Sequence, residues 1–154
     1  MSDEKTQSEG SYSRCYQSAI GFLARREHSR FELINKLRRK PFAKNVDLAS
    51  LCDHLESQNY LCDKRFSTMF VSSRVSKGQG DIKIRYELRQ RRVEDSLIDF
   101  ALLEAEVDWL KLAQKQREKR FSLELPKDFK EREKQYRFLL GRGFSGEIIR
   151  QIFN

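Results

Sequence analysis

The chain has 154 residues, of which 38% are hydrophobic and 35% are charged. Its 31 Lys and Arg against 23 Asp and Glu give a net charge of +8, which favours a polyanionic partner: nucleic acid, an acidic protein face or an anionic membrane. With only 7 glycines and 2 prolines, it has few residues for tight turns between strands. No stretch approaches the roughly 18 apolar residues of a membrane span. Because the polar start is also unlike a signal peptide, we expect a cytoplasmic protein.

The first third of the chain predicts a polar leader and then three helices. Residues 1–12 read as a disordered leader, and apolar residues at helical spacing over 13–27 predict the first helix. Ser29 and Glu32 form a capping box that starts the second helix, which must end before Pro41. A third helix is expected over residues 45–57.

Two further sets of helices follow. Asp63 and Asp81 are placed to cap the first two helices of the second set, and Val93 leads into its third. The last set is expected over residues 106–121, 128–140 and 145–153. We therefore divide the chain into the leader and three helical repeats, residues 13–62, 63–105 and 106–154.

The three sets have one internal spacing. The joints between the second and third helices fall at Phe42, Val93 and Phe144, which are 51 residues apart in each case. An apolar residue lies five positions before each joint, at Leu37, Leu88 and Leu139, and another lies four positions after it. This agreement predicts an all-α fold of three tandem three-helix repeats, stacked into an elongated and curved body.

Charge alternates along the repeats. Residues 25–44 carry eight basic and two acidic residues, whereas residues 46–63 carry four acidic residues and no Lys or Arg. Residues 74–92 carry seven basic and two acidic residues, and residues 93–110 carry six acidic and none basic. The second helix of a repeat is thus basic and the third acidic. This pattern indicates either a positive stripe for a polyanion or ordinary solvated faces with local ion pairing.

Groups that could carry chemistry are few. Cys52, His54 and Cys62 lack a fourth ligand and the spacing of a zinc site, so we interpret Cys52 as a core thiol. Glu104, Glu106 and Asp108 lie at a helix junction, where acids favour the N-terminus of the incoming helix over a magnesium site. No catalytic residue, metal or cofactor is therefore expected.

The glycine-rich run at residues 77–80 is not a phosphate loop, because the Gly-Lys-Ser/Thr ending is absent. It reads as the end of a helix, although its amides could still touch a phosphate. Basic and aromatic residues also adjoin at Arg120–Phe121 and around Tyr136, where exposed rings could stack on single-stranded bases.

Four separated segments stand in a fixed order along the chain: REHSRFEL at 26–33, NYLCDKRF at 59–66, RVSKGQG at 74–80 with IKIRYELRQRRV at 82–93, and FLLGRGFS at 138–145. Together they resemble the RecX family of bacterial recombination regulators, and the resemblance covers residues 16–154. Two positions depart from the family pattern: Asn59 and Arg92 stand where glycine is usual. Of non-glycine residues Asn best tolerates a left-handed turn, whereas Arg92 could alter the joint before Val93.

The resemblance implies three tandem three-helix repeats and a role as a negative modulator of the recombinase RecA. Such proteins bind RecA, lie along its DNA filament, and limit filament extension and the RecA ATPase and co-protease activities in recombination, DNA repair and the SOS response. They need no cofactor, and we expect a monomer with weak affinity for single- or double-stranded DNA.

We place the contacts to RecA or DNA on the basic helices. The candidate binding residues are Arg25, Arg26, Arg30, Lys36, Arg74, Lys77, Lys83, Arg85, Arg89 and Arg91. One alternative is a sequence-tolerant nucleic-acid binder that acts by competition for single-stranded DNA. A nuclease or metalloenzyme is a third hypothesis, which incubation with magnesium and labelled DNA would test.

Overall fold

The computed structural model describes residues 2–154, and all regular structure in this range is helical. Nine α-helices and a 3₁₀ turn, Pro41–Ala43, follow one another along the chain. The α-helices are α1 (Ser2–Arg25), α2 (Arg30–Arg38), α3 (Leu48–Ser57), α4 (Asp63–Ser76), α5 (Asp81–Gln90), α6 (Asp95–Glu104), α7 (Trp109–Arg120), α8 (Phe129–Gly141) and α9 (Gly146–Phe153). No helix in this range is both long and apolar enough to cross a membrane.

Helix α1 differs from the expected disordered leader. It begins at Ser2, so residues 2–12 form its first half, while Met1 lies outside the described residues. This half contains no proline, its one glycine is Gly10, and Asp3 and Glu4 favour the positive end of the helix dipole. The packed second half, with Cys15 and Ala19 buried, gives the exposed turns a formed helix to extend.

The capping box predicted in the first repeat is present, and the third repeat has a serine cap as well. Ser29 accepts a hydrogen bond from the Glu32 amide, and the Glu32 carboxylate accepts one from the Ser29 amide, completing the capping box. The second helix ends at Arg38, before Pro41. Ser145 caps α9 in the same way as Ser29 caps α2, by accepting from the amide three residues on.

Asp63 lies inside the helix that it was predicted to cap and not before it. It is the first residue of α4, and its carboxylate accepts a hydrogen bond of 2.8 Å from the backbone amide of Arg30. One of the free amides at the start of α2 is thus satisfied by a side chain 33 residues away.

Two compact units make up the described chain. The first contains residues 2–67 and 91–93; in it, α1 packs against α2 and the 3₁₀ turn, and α2 packs against α3. Its core buries Cys15, Ala19, Leu33, Leu37, Ala43, Leu48, Leu51, Cys52, Leu55 and Leu61.

The second unit contains residues 68–90 and 94–154. In it α5 packs against α6, and α7, α8 and α9 pack against one another. The core of these last three helices buries Ala113, Leu139, Phe144, Ile149 and Ile152.

Five of the nine residues that carry the 51-residue spacing are buried in the core: Leu37, Leu88 and Leu139 before the joints, and Val93 and Phe144 at two of them. The first joint residue, Phe42, and the residues four positions after each joint are half-buried. The all-α fold of three three-helix repeats is confirmed, whereas the exact limits of the repeats stay a prediction.

Both departures from the family glycines lie in left-handed backbone. Asn59 has φ of 63° and Arg92 has φ of 58°. A left-handed conformation costs a non-glycine residue about 1–2 kcal/mol. Asn59 Oδ1 accepts a 2.8 Å hydrogen bond from Arg65, and the Arg92 guanidinium lies 5.5 Å from the centre of the Phe31 ring. These contacts hold the two turns in place.

Candidate nucleic-acid and partner-binding residues

The structure divides the ten candidate cations equally between the two units. The first unit holds Arg25, Arg26, Arg30, Lys36 and Arg91, and the second holds Arg74, Lys77, Lys83, Arg85 and Arg89. Within each unit, their partners decide how much of their charge is available to a ligand.

The arginines of α5 face the acids of α6. Arg85 Nη1 lies 2.5 Å from Asp99 Oδ1, and Arg89 Nε lies 2.8 Å from Asp95 Oδ1. The hydrogen bond between Arg89 and Asp95 lowers the pKa of the carboxyl and raises that of the guanidinium. These side chains are largely exposed, so solvent weakens the attraction. The basic second helix and the acidic third helix of this repeat are therefore paired with each other.

The same pairing recurs between α2 and α3. Arg30 Nη1 contacts Asp53 Oδ1 at 2.7 Å and Glu56 Oε1 at 3.0 Å, and Arg30 Nη2 donates to the Ala49 carbonyl oxygen at 3.0 Å. Burial lowers the pKa of Arg30, but the hydrogen bonds to the two carboxylates outweigh it and raise the pKa above its usual value. Arg30 therefore joins α2 to α3.

Three more candidates also face carboxylates. Glu32 lies 3.0 Å from Arg26 and 4.0 Å from Arg91, so one acid serves two arginines as well as the capping box. Arg74 Nε lies 3.0 Å from Glu87 Oε2, an ion pair without the alignment of a hydrogen bond. Six of the ten candidates thus have a carboxylate within 4.0 Å in residues 2–154. The remaining four are Arg25, Lys36, Lys77 and Lys83.

Lys36 has a neutral partner that the sequence did not indicate. Its Nζ lies 2.7 Å from Nε2 of His28, which is buried, and Nδ1 of His28 lies 3.0 Å from the Arg26 carbonyl oxygen. A lysine ammonium only donates, so this pattern assigns the imidazole proton to Nδ1. Burial lowers the pKa of His28, and the charges of Arg26 and Lys36 lower it further, against the bond to the carbonyl and the charge of Glu32. His28 is therefore held neutral.

The environment of Lys36 is rich in positive charge. Burial lowers the pKa of Lys36, and the nearby guanidinium groups of Arg26, Arg25 and Arg39 also lower it, while Glu32 opposes them. Its ammonium lies 4.9 Å from the centre of the Phe22 ring. Cations therefore outnumber acids around this end of α2.

The glycine-rich turn between α4 and α5 does not offer its amides to a phosphate. The amides of residues 77–79 donate to the carbonyl oxygens of Arg74 and Val75. The Gly80 amide donates to the Arg142 carbonyl oxygen at 2.8 Å, and that of Ile82 donates to Gly143 at 3.0 Å. The suggestion of amide–phosphate contact is therefore wrong, because these donors are already used.

The hydrogen bonds that the Gly80 and Ile82 amides donate join the second repeat to the third, and the close approach of the two chains requires glycine at positions 80 and 143. A Cβ on Gly80 would lie 2.3 Å from the Gly143 carbonyl oxygen, and a Cβ on Gly143 would lie 2.2 Å from Cβ of Lys83. Gly143 also has φ of 94°, which favours glycine. We call this contact the glycine clasp: Gly80 and Ile82 against Arg142 and Gly143.

Two aromatic rings flagged in the sequence are covered by cations. Phe121 and Phe138 meet edge to face with centres 5.4 Å apart. The Arg120 guanidinium lies 5.5 Å and 6.0 Å from their centres, and Lys134 and Arg142 lie 5.9 Å and 5.4 Å from Phe121 and Phe138 respectively. Stacking of bases on these two rings is therefore not supported by their surroundings.

The chain matches family models along most of its length. Residues 15–46, 63–102 and 106–153 match the first, second and third three-helix domains of RecX. Among curated proteins, Regulatory protein RecX of Halorhodospira halophila is 43% identical over 133 residues, which cover 86% of this chain and 82% of that protein. The chain belongs to the RecX family. Regulatory protein RecX of Vibrio campbellii is 41% identical over 86% of this chain and 85% of its own.

Solved RecX structures have the same fold. RecX from Lactobacillus salivarius superposes with a TM-score of 0.76 at 22% sequence identity, covering 94% of this chain and 95% of that chain. Another structure, of a regulatory protein RecX, gives a TM-score of 0.77 at 22% identity over 92% of this chain and 72% of its own. The resemblance read from four sequence segments is confirmed.

Residues considered for chemistry have structural roles in this RecX family member. Cys52 is buried in the core of the first unit, and burial raises the pKa of its thiol to about 11, which disfavours the reactive thiolate. Asp108 caps α7 by accepting from the Lys111 amide at 3.0 Å. Residues 2–154 contain no group of three His, Cys, Asp or Glu residues placed to hold a metal ion.

Proposed function

We propose that this protein is a negative regulator of recombination and DNA repair. It binds the recombinase RecA and the RecA filament on DNA, and it limits filament extension and the RecA ATPase and co-protease activities. The observation that carries the proposal is the match of all three repeats to the RecX three-helix domains, together with relatives named Regulatory protein RecX. It acts as a monomeric binding protein in the cytoplasm, without a catalytic step or a cofactor.

The ion pairs refine the candidate contacts. A cation that already faces a carboxylate attracts a new anion less strongly, because the negative charge of the carboxylate offsets part of the field of the cation. We therefore propose that Arg25, Lys36, Lys77 and Lys83 make the first contacts with the filament. Arg26, Arg30, Arg74, Arg85, Arg89 and Arg91 mainly join one helix to its neighbour.

Cosedimentation tests the proposal. RecA filaments are assembled on single-stranded DNA with a non-hydrolysable ATP analogue, and the same DNA without RecA runs beside them. We expect the protein to pellet with filaments well beyond the amount retained by bare DNA, and to slow RecA ATP hydrolysis when ATP replaces the analogue. Two results together would contradict a contact with RecA. Bare DNA would retain as much of the protein as filaments do, and added DNA would relieve any inhibition of ATP hydrolysis.

The second candidate function is competition for single-stranded DNA, favoured by the cations that have no carboxylate partner. A third arm with DNA-free RecA separates the two functions. Direct binding to DNA-free RecA supports regulation through RecA. Affinity for DNA alone, falling steeply as salt rises, supports competition instead.

A further inference from the structure

The third repeat carries a set of cations that the charge alternation of the sequence does not single out. We call Arg120, Lys134 and Arg142, with the rings of Phe121 and Phe138, the basic–aromatic cluster. The three cations come from the end of α7, the middle of α8 and the residue after α8. The two rings touch each other, and each of the three cations lies within 6.0 Å of at least one ring centre.

Within residues 2–154, none of these three cations lies within 4.0 Å of a carboxylate, unlike Arg85 and Arg89 in the same unit. A cation over an aromatic ring is held by the negative face of the ring and keeps its full charge. The stacked Arg120 guanidinium also keeps the N–H groups at its edge, which match two phosphate oxygens at once. Glu124, Asp128 and Glu131 line the same cleft as Arg120, but none of the three cations pairs with a carboxylate within 4.0 Å in residues 2–154, so the cluster can still bind an anion.

The glycine clasp brings further unpaired cations to this surface. Arg142 Nη1 lies 3.4 Å from the Lys77 carbonyl oxygen, and Gly143 packs against Cβ of Lys83. Neither lysine has a carboxylate within 4.0 Å in the described residues. The clasp therefore joins the turn between α4 and α5 to the end of α8, and it places the backbone of Lys77 and Cβ of Lys83 next to Arg142 and Gly143.

We infer that this surface, formed by the basic–aromatic cluster with Lys77 and Lys83, binds the phosphate backbone of nucleic acid. The inference rests on the proposed function, because it assigns the DNA contact within a RecA–DNA filament. A protein partner would favour an exposed apolar centre ringed by polar groups. Here the two rings are only partly exposed and the cations lie over them, which suits a row of phosphates better. Contacts to phosphate do not distinguish bases, so binding is independent of sequence.

The test compares two double variants that remove the same charge from the same helical core. Arg120→Gln with Lys134→Gln removes two cations of the cluster. Lys111→Gln with Lys115→Gln removes two exposed cations of α7 outside it. Affinity for a labelled, mixed-sequence single-stranded DNA is measured by fluorescence anisotropy between about 50 and 200 mM salt.

We expect the cluster variant to bind roughly tenfold more weakly and the control to stay within about twofold of the parent. The slope of log affinity against log salt should fall by about 1.4 for the cluster variant, because each lost contact to single-stranded DNA removes about 0.7. An equal loss in both variants would show that total charge, and not this surface, governs binding, and would overturn the inference.

Further measurements separate this inference from the proposed function. Circular dichroism and urea unfolding report whether the cluster variant folds; if it does not, Lys77→Gln with Lys83→Gln tests the same surface. No measurable affinity of the parent protein for DNA would overturn the inference, while cosedimentation and DNA-free RecA binding would still decide the proposed function. The cluster variant could instead keep its affinity for DNA and lose its affinity for DNA-free RecA. That result would show that the surface binds an acidic protein face, and it would overturn the phosphate assignment.

Discussion

Two helix pairs in the same unit use their arginines differently. In the α5–α6 pair, Arg85 and Arg89 face Asp99 and Asp95 across the helix interface. In the α7–α8 pair, Arg120 faces aromatic rings. The basic helix that is easiest to see in the sequence, α5, therefore has part of its charge neutralised, whereas α7 and α8, where acidic and basic residues are mixed, keep unpaired cations.

The α7–α8 pair also buries a cation without any acid. Arg117 is 2% exposed, and it donates to Gln135 Oε1 at 3.2 Å, to the Glu124 carbonyl oxygen at 3.3 Å and to the Leu123 carbonyl oxygen at 3.1 Å. These bonds tie the irregular connection after α7 to the body of α8. Arg85 and Arg89 thus join helices through carboxylates, whereas Arg117 and Arg120 are held by neutral groups.

The largest expected effect comes from Arg117. Arg117→Met keeps most of the side-chain volume but leaves the Gln135 oxygen and the Leu123 carbonyl oxygen without donors, while the Glu124 carbonyl oxygen still accepts from the Ser122 hydroxyl. We expect the free energy of unfolding to fall by about 2 kcal/mol, because the buried Gln135 acceptor costs about 1–3 kcal/mol when unsatisfied and removal of the buried charge offsets part of the total loss. Urea unfolding measures it, with the exposed Arg120→Met as the matched control.

The control should leave the urea midpoint nearly unchanged. A more stable Arg117→Met protein would mean that burying the charge costs more than its three hydrogen bonds return. The neutral acceptors around Arg117 would then not compensate for burial of its charge. The contrast between cations held by carboxylates and cations held by neutral groups would no longer describe the two helix pairs.

A second, smaller effect depends on pH and concerns the cation that faces a neutral imidazole, Lys36. The pKa of His28 is lowered in the folded protein, so below about pH 6.5 the unfolded chain binds a proton more readily than the folded one. The stabilising contribution is present above pH 6.5 and is lost as the pH falls below it. The facing charges of Arg26 and Lys36 increase the loss, and Glu32 reduces it.

Melting temperatures at about pH 7.5 and pH 5.5 test this pH dependence, in the parent protein and in His28→Gln. We expect the parent to lose more stability than the variant on acidification, since Gln does not titrate. Equal losses would mean that His28 takes up its proton as readily in the folded protein as in the unfolded chain.

The smallest expected effect comes from the α5–α6 ion pairs. Arg85→Gln with Arg89→Gln should leave the urea midpoint close to that of the parent, because both pairs are largely exposed and screened. Neutralisation is preferable to charge reversal, which would place new carboxylates beside Asp95 and Asp99. A large loss of stability would show that these ion pairs hold α5 and α6 together. They would then contribute more to stability than the hydrogen bonds of Arg117.

Much of the fold follows from local sequence. Ser29 with Glu32, the stop before Pro41 and the cap at Ser145 are decided within one turn of backbone, so they could be predicted without tertiary information. The spacing of Leu37, Leu88 and Leu139 predicted the repeat, because a core position must recur wherever the same three helices pack. A left-handed turn at Asn59 was expected from the family resemblance, because glycine is usual at this position.

The candidate site was predicted less well, for a physical reason. The amide of Arg30 is satisfied by Asp63, and that of Gly80 by the carbonyl of Arg142, at separations along the chain that no local pattern specifies. Whether a cation meets a carboxylate, a ring or an imidazole likewise depends on which helix lies opposite it.

The sequence by itself determined the helices, their repeat, the family and the total positive charge, since propensity, capping and core periodicity act over a few residues. Only the tertiary structure decided which cations remain available. Coulomb attraction and hydrogen bonding act between side chains a few ångströms apart in space, and packing alone set Arg85 against Asp99 and Arg120 against Phe121.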